Sequence, residues 1–289
     1  MKTYQICSSG RLSAKEIEAL ISLGKGDSVD YDASLTWVDL FITQAKKNPD
    51  KVAVADRDTQ LTYSELDRRS NILAQVLIDR GVVPDDFVAV MLERTVRFPI
   101  AVLAIHKAGA AYVPIDLEYP KERIEYMLRD SAAKVVINDA FMDGVSFDNC
   151  SVIPVNRATP DTLSYMIYTS GSTGLHKGAM LSHSSLRTLA CTVTHQASLS
   201  ASDRLCAHPS FSFSAHIMDF YSSLSVGAEW HIVPEDIRKD LPALRDFIAN
   251  HKITGGTFST ALGSLLLEEK DLSTLRYVML GGEKLSGVS

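Results

Sequence analysis

The chain has 289 residues, 46% of them hydrophobic, and its 29 Lys and Arg against 35 Asp and Glu leave a formal net charge of -6. That is enough chain to bury roughly three quarters of its unfolded surface in one or two domains, and the acidic balance provides no basic stripe for nucleic acid or an anionic membrane. Cys7, Cys150, Cys191 and Cys206 are scattered without a C-x-x-C pair and no apolar run approaches about 18 residues, which argues against a disulfide frame, a zinc site, a signal peptide and a membrane span and for a cytoplasmic location.

Ser13 and Glu16 form a capping-box pair within LSAKEIEAL, and Thr62 with Glu65 forms another before an apolar-periodic helix over Leu66 to Ile78 that Gly81 closes. Phe87 to Met91 reads as a strand, Val96 to Lys107 as a helix ended by Gly109, and Pro120 opens a helix through Leu128. Val135 to Ile137 returns to strand, after which Asp139 to Pro160 is the least periodic stretch and is expected to join two sheet layers. Tyr165 to Tyr168 is a strand, Ser182 to Ala190 a helix, Leu205 to Ala207 a strand, and Ala215 to Leu224 a helix closed near Gly227. Trp230 to Val233 is a strand, Leu241 to Asn250 and Ala261 to Glu269 are helices, and Tyr277 to Leu280 is a strand. The alternation predicts an α/β fold of layered, parallel-type sheets flanked by helices.

Between the strand at Tyr165 and the helix at Ser182 lies YTSGSTGLHKGAM, Tyr168 to Met180, a composition suited to phosphate. Gly171 and Gly174 allow positive φ and let amide groups converge where a Cβ would block approach. Thr169, Ser170, Ser172 and Thr173 add hydroxyl donors, and Lys177 adds a mobile charge. The segment is not a Walker loop, because His176 precedes Lys177 and Gly178 follows it where that pattern needs Gly-Lys-Ser/Thr. The same composition also describes a flexible linker; the strand-like run before it and the lysine at its end weigh against that. No G-x-G-x-x-G follows an early strand, so dinucleotide binding lacks its fingerprint.

YTSGSTG followed by x-x-KG resembles the phosphate loop of the adenylate-forming enzymes. LTYSEL (Leu61 to Leu66) and KAGAAYVPID (Lys107 to Asp116) resemble, in the same order, two preceding core motifs of nonribosomal peptide synthetase adenylation domains, and FSAHIMDFY (Phe213 to Tyr221) resembles the start of their substrate-binding helix. The resemblance runs from about Leu12 to the last residue and extends to the ligase that loads D-alanine onto a carrier protein. It implies residues 1–35 as a linker with an entry helix. It implies residues 36–289 as a partial N-terminal core of two α/β subdomains, joined near 139–160, without the carboxy-terminal lid.

The activity so implied is ATP-dependent activation of a carboxylic or amino acid as an acyl adenylate, for transfer to a carrier protein's phosphopantetheine thiol, with a condensation domain as a possible neighbour. Lys177 is the catalytic candidate, for the pyrophosphate that departs. Thr169, Ser170, Gly171, Ser172, Thr173 and Gly174, with the turn Gly281, Gly282 and Glu283 on the adenine side, are the nucleotide-binding candidates. His176 stands where the family usually has proline, which leaves the turn less constrained. Phe213, Ser214, Ala215, Met218, Phe258, Met279 and Gly281 are the acid-pocket candidates; Met218, Phe258 and Met279 also suit a plain apolar core. Ser214 departs from the aspartate that pairs with an α-ammonium, which disfavours ordinary α-amino acids and points to a hydroxy, keto, aryl or β-amino acid.

No metal ligand is assigned. The aromatic-Gly-x-Thr-Glu segment that helps bind magnesium, the ribose-binding aspartate and the lid lysine are not among these 289 residues, so they are expected not to adenylate at a useful rate alone. The competing reading is a naturally short, non-catalytic nucleotide- or acid-binding module.

Overall fold

The computed structural model describes residues 12–26, 29–148, 154–170, 176–268 and 272–284, and the chain divides into two units, Met1–Tyr31 and Asp32–Ser289. The first holds one helix, α1 (Ala14–Gly24), begun by the Ser13–Glu16 capping box, in which the Ser13 amide donates to Glu16 Oε2 at 2.8 Å. None of its residues is buried.

The second unit opens with α2 (Trp37–Lys47), capped by Thr36 and Asp39, then β1 (Val52–Ala55), β2 (Gln60–Thr62) and α3 (Tyr63–Asp79), capped by Thr62 and Glu65. It continues through β3 (Phe87–Val90), α4 (Arg97–Lys107), β4 (Ala111–Pro114), α5 (Lys121–Ser131), β5 (Val135–Ile137) and α6 (Asp139–Asp143). A hairpin, β6 (Leu163–Ser170) and β7 (His176–Ser182), leads to α7 (His183–Gln196) and β8 (Arg204–Ala207). The last described elements are α8 (Ala215–Val226), β9 (Glu229–Ile232), α9 (Glu235–Arg238), α10 (Leu241–Asn250), β10 (Gly255–Ser259), α11 (Thr260–Glu268) and β11 (Tyr277–Gly281). No helix among the described residues is long and apolar enough to cross a membrane.

Two sheets form, in the orders β11-β10-β8-β9-β1-β2 and β5-β3-β4-β6-β7. All their pairings are parallel except β1 with β2 and β6 with β7, so both antiparallel strands sit at sheet edges and the interiors are parallel. The stretch 139–160 corrects one expectation: it runs between β5 and β6 of one sheet and does not join the two layers. The chain changes sheets instead between β2 and β3 and between β7 and β8.

Strand parity explains the layers. In β3, Val88 and Val90 enter the main core while Ala89 turns to the opposite face with Val113, Met166 and Met127 of α5. In the other sheet Leu205 and Ala207 enter the main core, and Cys206 faces Leu244, Phe247 and Ile248 of α10. The main core joins α2, α3, α4, α7 and α8 to both sheets, so α4 and α8 are covered on nearly every side, and even His106 and Lys107 of α4 and His216, Asp219, Ser222 and Ser223 of α8 are buried. Sheets buried on both faces need apolar strands throughout, and these short runs supply them.

Candidate functional site

The carboxyl ends of the parallel strands open into a cavity of about 480 Å³ between the sheets. Its walls come from the segments after β1, β3, β4, β8 and β9, the edge at which open α/β sheets receive ligands. Its apolar floor includes Val90, Leu92, Phe98, Ile115 and Phe211, and its mouth carries Asp58, Glu93 and Glu118.

Arg94, just beyond β3, spans the gap. Its guanidinium donates to the carbonyls of Val233 at 3.0 Å and Pro209 at 2.8 Å and also to that of Ala207, at the ends of β8 and β9. It lies over the Phe211 ring at 4.3 Å, with Glu235 3.8 Å away. Arg238 donates to the His208 carbonyl at 2.8 Å, and Asp116 accepts from Ser210 at 3.0 Å and Ser212 at 3.3 Å. The segment from β8 to α8 is thus held by three neighbouring loops before it reaches Phe213. Burial pulls the His208 imidazole down to about 4, so it stays neutral near pH 7.

The hairpin carries the phosphate-type segment. Thr169 lies opposite Lys177 and Ser170 opposite His176, and Gly171 to Leu175 between them are outside the described residues. Gly171, Ser172, Thr173 and Gly174 are therefore not placed. Thr169 and Lys177 are both exposed, and Lys177 makes no ion pair with a described residue. Among the described residues the Thr169 hydroxyl reaches only the Lys177 carbonyl, at 3.5 Å. Two tyrosines tie the hairpin to α5: Tyr126 donates to the His176 carbonyl at 2.8 Å, and Tyr168 to Asp130 Oδ2 at 2.7 Å. A Cβ on Gly178 would come within 2.3 Å of Met166 Sδ, so any side chain here makes Met166 shift.

The acid-pocket candidates fall on α8, β10, β11 and the residues before α8. Phe213 is 62% exposed, Ser214 is exposed at the helix start, and Met218 and Met279 both pack on the main core. Phe258 is corrected: it is 2% exposed, its ring centroid is 5.3 Å from that of His208, and it belongs to the outer core with Val278 and Leu280. Parallel register pairs Thr257 with Met279 and Ser259 with Gly281, so Thr257 and Ser259 share the face of Met279 and Gly281. A one-residue shift in strand parity separates the two assignments.

Asp219 fixes that face. Its carboxylate accepts from the Thr257 amide and hydroxyl, both at 2.9 Å, joining α8 to β10. Burial raises it to about 7, against the two Thr257 bonds that favour its charge. It is committed to the strand and cannot serve as counterion for an ammonium at Ser214. At the end of β11, Gly282 has φ +94, and the Thr260 hydroxyl holds the Glu283 carbonyl at 3.2 Å. Nothing lies within 4 Å of a Cβ built on Gly281 or Gly282, leaving an open turn. No three His, Cys, Asp or Glu side chains converge among the described residues to hold a metal ion.

Arg94, Tyr126 and Thr257, and the partners of Asp116 and Asp219, escaped sequence reading, because those partners lie 38 to 139 positions away. Strand parity alone could have found Thr257.

Comparison with known proteins agrees with this geometry. The AMP-binding enzyme family matches residues 41–288. The chain is 36% identical over 291 residues to surfactin synthase subunit 1 of Bacillus subtilis (strain 168), covering 93% of this chain and 8% of that protein. Among solved structures it is similar to the nonribosomal peptide synthetase FmoA3, with a TM-score of 0.83 at 26% identity over 94% of this chain and 31% of that one. It is also similar to the NpsA N-terminal subdomain of Klebsiella oxytoca in complex with 3-hydroxyanthranilyl-AMSN, with a TM-score of 0.76 at 26% identity over 86% and 66%. The chain spans less than a tenth of the curated relative's length.

Proposed function

This chain belongs to the AMP-binding enzyme family, and from that membership we propose that it carries the nucleotide- and acid-binding part of an ATP-dependent acid ligase acting in nonribosomal peptide synthesis in the cytoplasm. A substrate carboxylate oxygen attacks the α-phosphorus of ATP, the bond to the bridging oxygen breaks, and pyrophosphate leaves an acyl adenylate. The acyl group then passes to a carrier protein's phosphopantetheine thiol, with a condensation domain as a fitting neighbour. Magnesium would accompany the nucleotide through ligands outside the described residues.

The observation that carries the reading is the hairpin register, which sets the Thr169 hydroxyl opposite Lys177 at an exposed strand end with no internal ion pair on the lysine. In this reading a cation placed at the departing pyrophosphate stabilises the charge that grows there more than it stabilises bound ATP. Ser170 and Gly171 to Gly174 remain nucleotide-binding candidates on their composition alone, and the open turn at Gly281, Gly282 and Glu283 suits a flat base. An AMPPNP-bound form of the FmoA3 neighbour supports nucleotide use.

Ser214, Ala215, Met218, Met279 and Gly281 line the acid side in this reading, with Thr257 and Ser259 replacing Phe258. The FmoA3 neighbour has an α-methyl-L-serine-AMP-bound form and the NpsA subdomain was solved with 3-hydroxyanthranilyl-AMSN, an amino acid in one case and an aryl acid in the other. Ser214 favours the second kind, since an ammonium buried without a counterion costs about 3 to 5 kcal/mol.

ATP–pyrophosphate exchange by the complete protein, across a panel of hydroxy, keto, aryl, β-amino and α-amino acids, tests both statements. Exchange is expected with an acid lacking an α-ammonium, and Lys177→Ala is expected to lower its rate on the order of a hundredfold. An unchanged rate in the variant would remove Lys177 from the reaction, and exchange with one common α-amino acid alone would overturn the substrate class. The 289 residues by themselves are expected to bind ATP weakly, with the heat of binding lost in Lys177→Ala.

A further inference from the structure

Behind the acid-side residues lies a buried polar contact that the reaction above does not use. His216, in the first turn of α8, is 1% exposed. Its Nδ1 lies 2.5 Å from the Phe213 carbonyl and its Nε2 3.0 Å from the Tyr112 hydroxyl. A carbonyl can only accept, so Nδ1 carries the proton, Nε2 presents its lone pair, and Tyr112 is the donor. Tyr112 is fully buried on β4 of the other sheet, edge-on to Phe98 with centroids 6.3 Å apart, and offers a rigid anchor.

The start of α8 needs such an anchor. Ser214 occupies the cap position with φ -59 and ψ -19 and makes no side-chain cap bond, so the usual device for fixing a helix entry is missing. The Phe213 carbonyl is bonded instead by the His216 amide at 3.3 Å and by the imidazole. That carbonyl belongs to the peptide joining Phe213 to Ser214, both exposed acid-side candidates. Rotation of this peptide would turn the Ser214 side chain and the Phe213 ring together.

We propose that His216 is a positioning residue for the acid-binding side, holding the Phe213–Ser214 peptide through Nδ1 while Tyr112 holds the imidazole through Nε2. The proposal rests on the acid-activation reading. It assigns a role to a side chain that touches neither nucleotide nor acid, and it links the specificity segment of one sheet to a strand of the other. The bond is local to the acid side, so its loss should move acid binding and leave the phosphate hairpin alone.

The test is steady-state exchange by the complete enzyme with the acid the panel identifies, measuring KM for acid and for ATP separately. An Asn amide reproduces the reach of Nδ1 to a carbonyl three residues back, and a Gln amide does not. His216→Gln is expected to raise the KM for acid about tenfold, the loss of one buried hydrogen bond, with the KM for ATP unchanged, and His216→Asn, which keeps the Nδ1 bond and loses only the Tyr112 one, to raise it no more than Tyr112→Phe does. Tyr112→Phe removes only a hydroxyl and should raise the KM for acid alone, a milder check should His216→Gln fold poorly. Equal behaviour of the Asn and Gln variants, or parallel changes in both KM values, would overturn the positioning role. No exchange with any acid in the unaltered enzyme would overturn the acid-activation reading, and this proposal with it.

Discussion

Asp219 shows how one buried carboxylate sets both geometry and pH response. With its pKa raised to about 7 by burial against about 3.9 when unfolded, the folded chain holds the extra proton between these values. Its contribution to stability is present below pH 4 and lost as pH rises through 7. His183, His208 and His216 work the other way: burial brings each down to about 4, so the unfolded chain takes up their protons first and stability rises with pH from about 4 to 6.5. With His106 also lowered by its burial, these histidines against one carboxyl predict a net rise. Asp219→Asn, which keeps an acceptor for the Thr257 amide, should steepen it by up to about 1 kcal/mol per pH unit. Urea unfolding at pH 4, 5, 6 and 7 would show this, and an unchanged slope would mean that Asp219 keeps an ordinary carboxylate pKa.

At the scale of elements, the β6–β7 hairpin depends on α5 as much as on its own ladder. The ladder fixes register between Thr169 and Lys177, but β7 is an edge strand with no partner on its outer side. Tyr126 supplies a bond from outside the sheet to the His176 carbonyl, one residue before Lys177. Tyr126→Phe keeps the ring and removes the hydroxyl, so a loss of about 1 kcal/mol is expected on thermal unfolding, with faster amide exchange in β7 than in β6. Equal protection of both strands would show that the ladder alone holds the hairpin. Gly178→Ala should be at least as damaging, because Met166 must move from a side chain position 2.3 Å from the new methyl group.

For the whole molecule, Arg94 is one of the polar links between the two sheets at their ligand-facing edge, beside Asp116 with Ser210 and Ser212. Its planar fork meets carbonyls that point several ways at the ends of β8 and β9, a geometry that one ammonium does not reproduce. Arg94→Ala leaves those carbonyls to find other partners and is expected to cost about 3 kcal/mol in urea unfolding. Arg94→Lys should recover little of it. A Lys variant as stable as the unaltered chain would show that charge matters here and the fork does not. Burial weakens the charged form of this guanidinium, with Arg238 adding to the effect, so the site tolerates the cation because its carbonyl partners surround it.

The alternation of helices and strands was legible because each carries its own period and its own punctuation. Thr62 with Glu65 starts α3, Gly227 at φ +81 closes α8, and the runs at Phe87 and Trp230 read as strands without any partner in view. The Gly/Ser/Thr composition before Lys177 stands out for the same reason, since those residues are adjacent in sequence and their expected chemistry needs no distant partner to be noticed. Helix α2 went unread, as did the antiparallel turn into β7 and the return of 139–160 to the same sheet, because pairing and packing partners are chosen across long separations. Strand parity at Thr257 and Phe258, and the grip of Arg94 and His216 on distant carbonyls, were decided only when the two sheets closed on one shared core. A side chain's periodicity says that it is buried, but which face it meets depends on what the rest of the chain brings there.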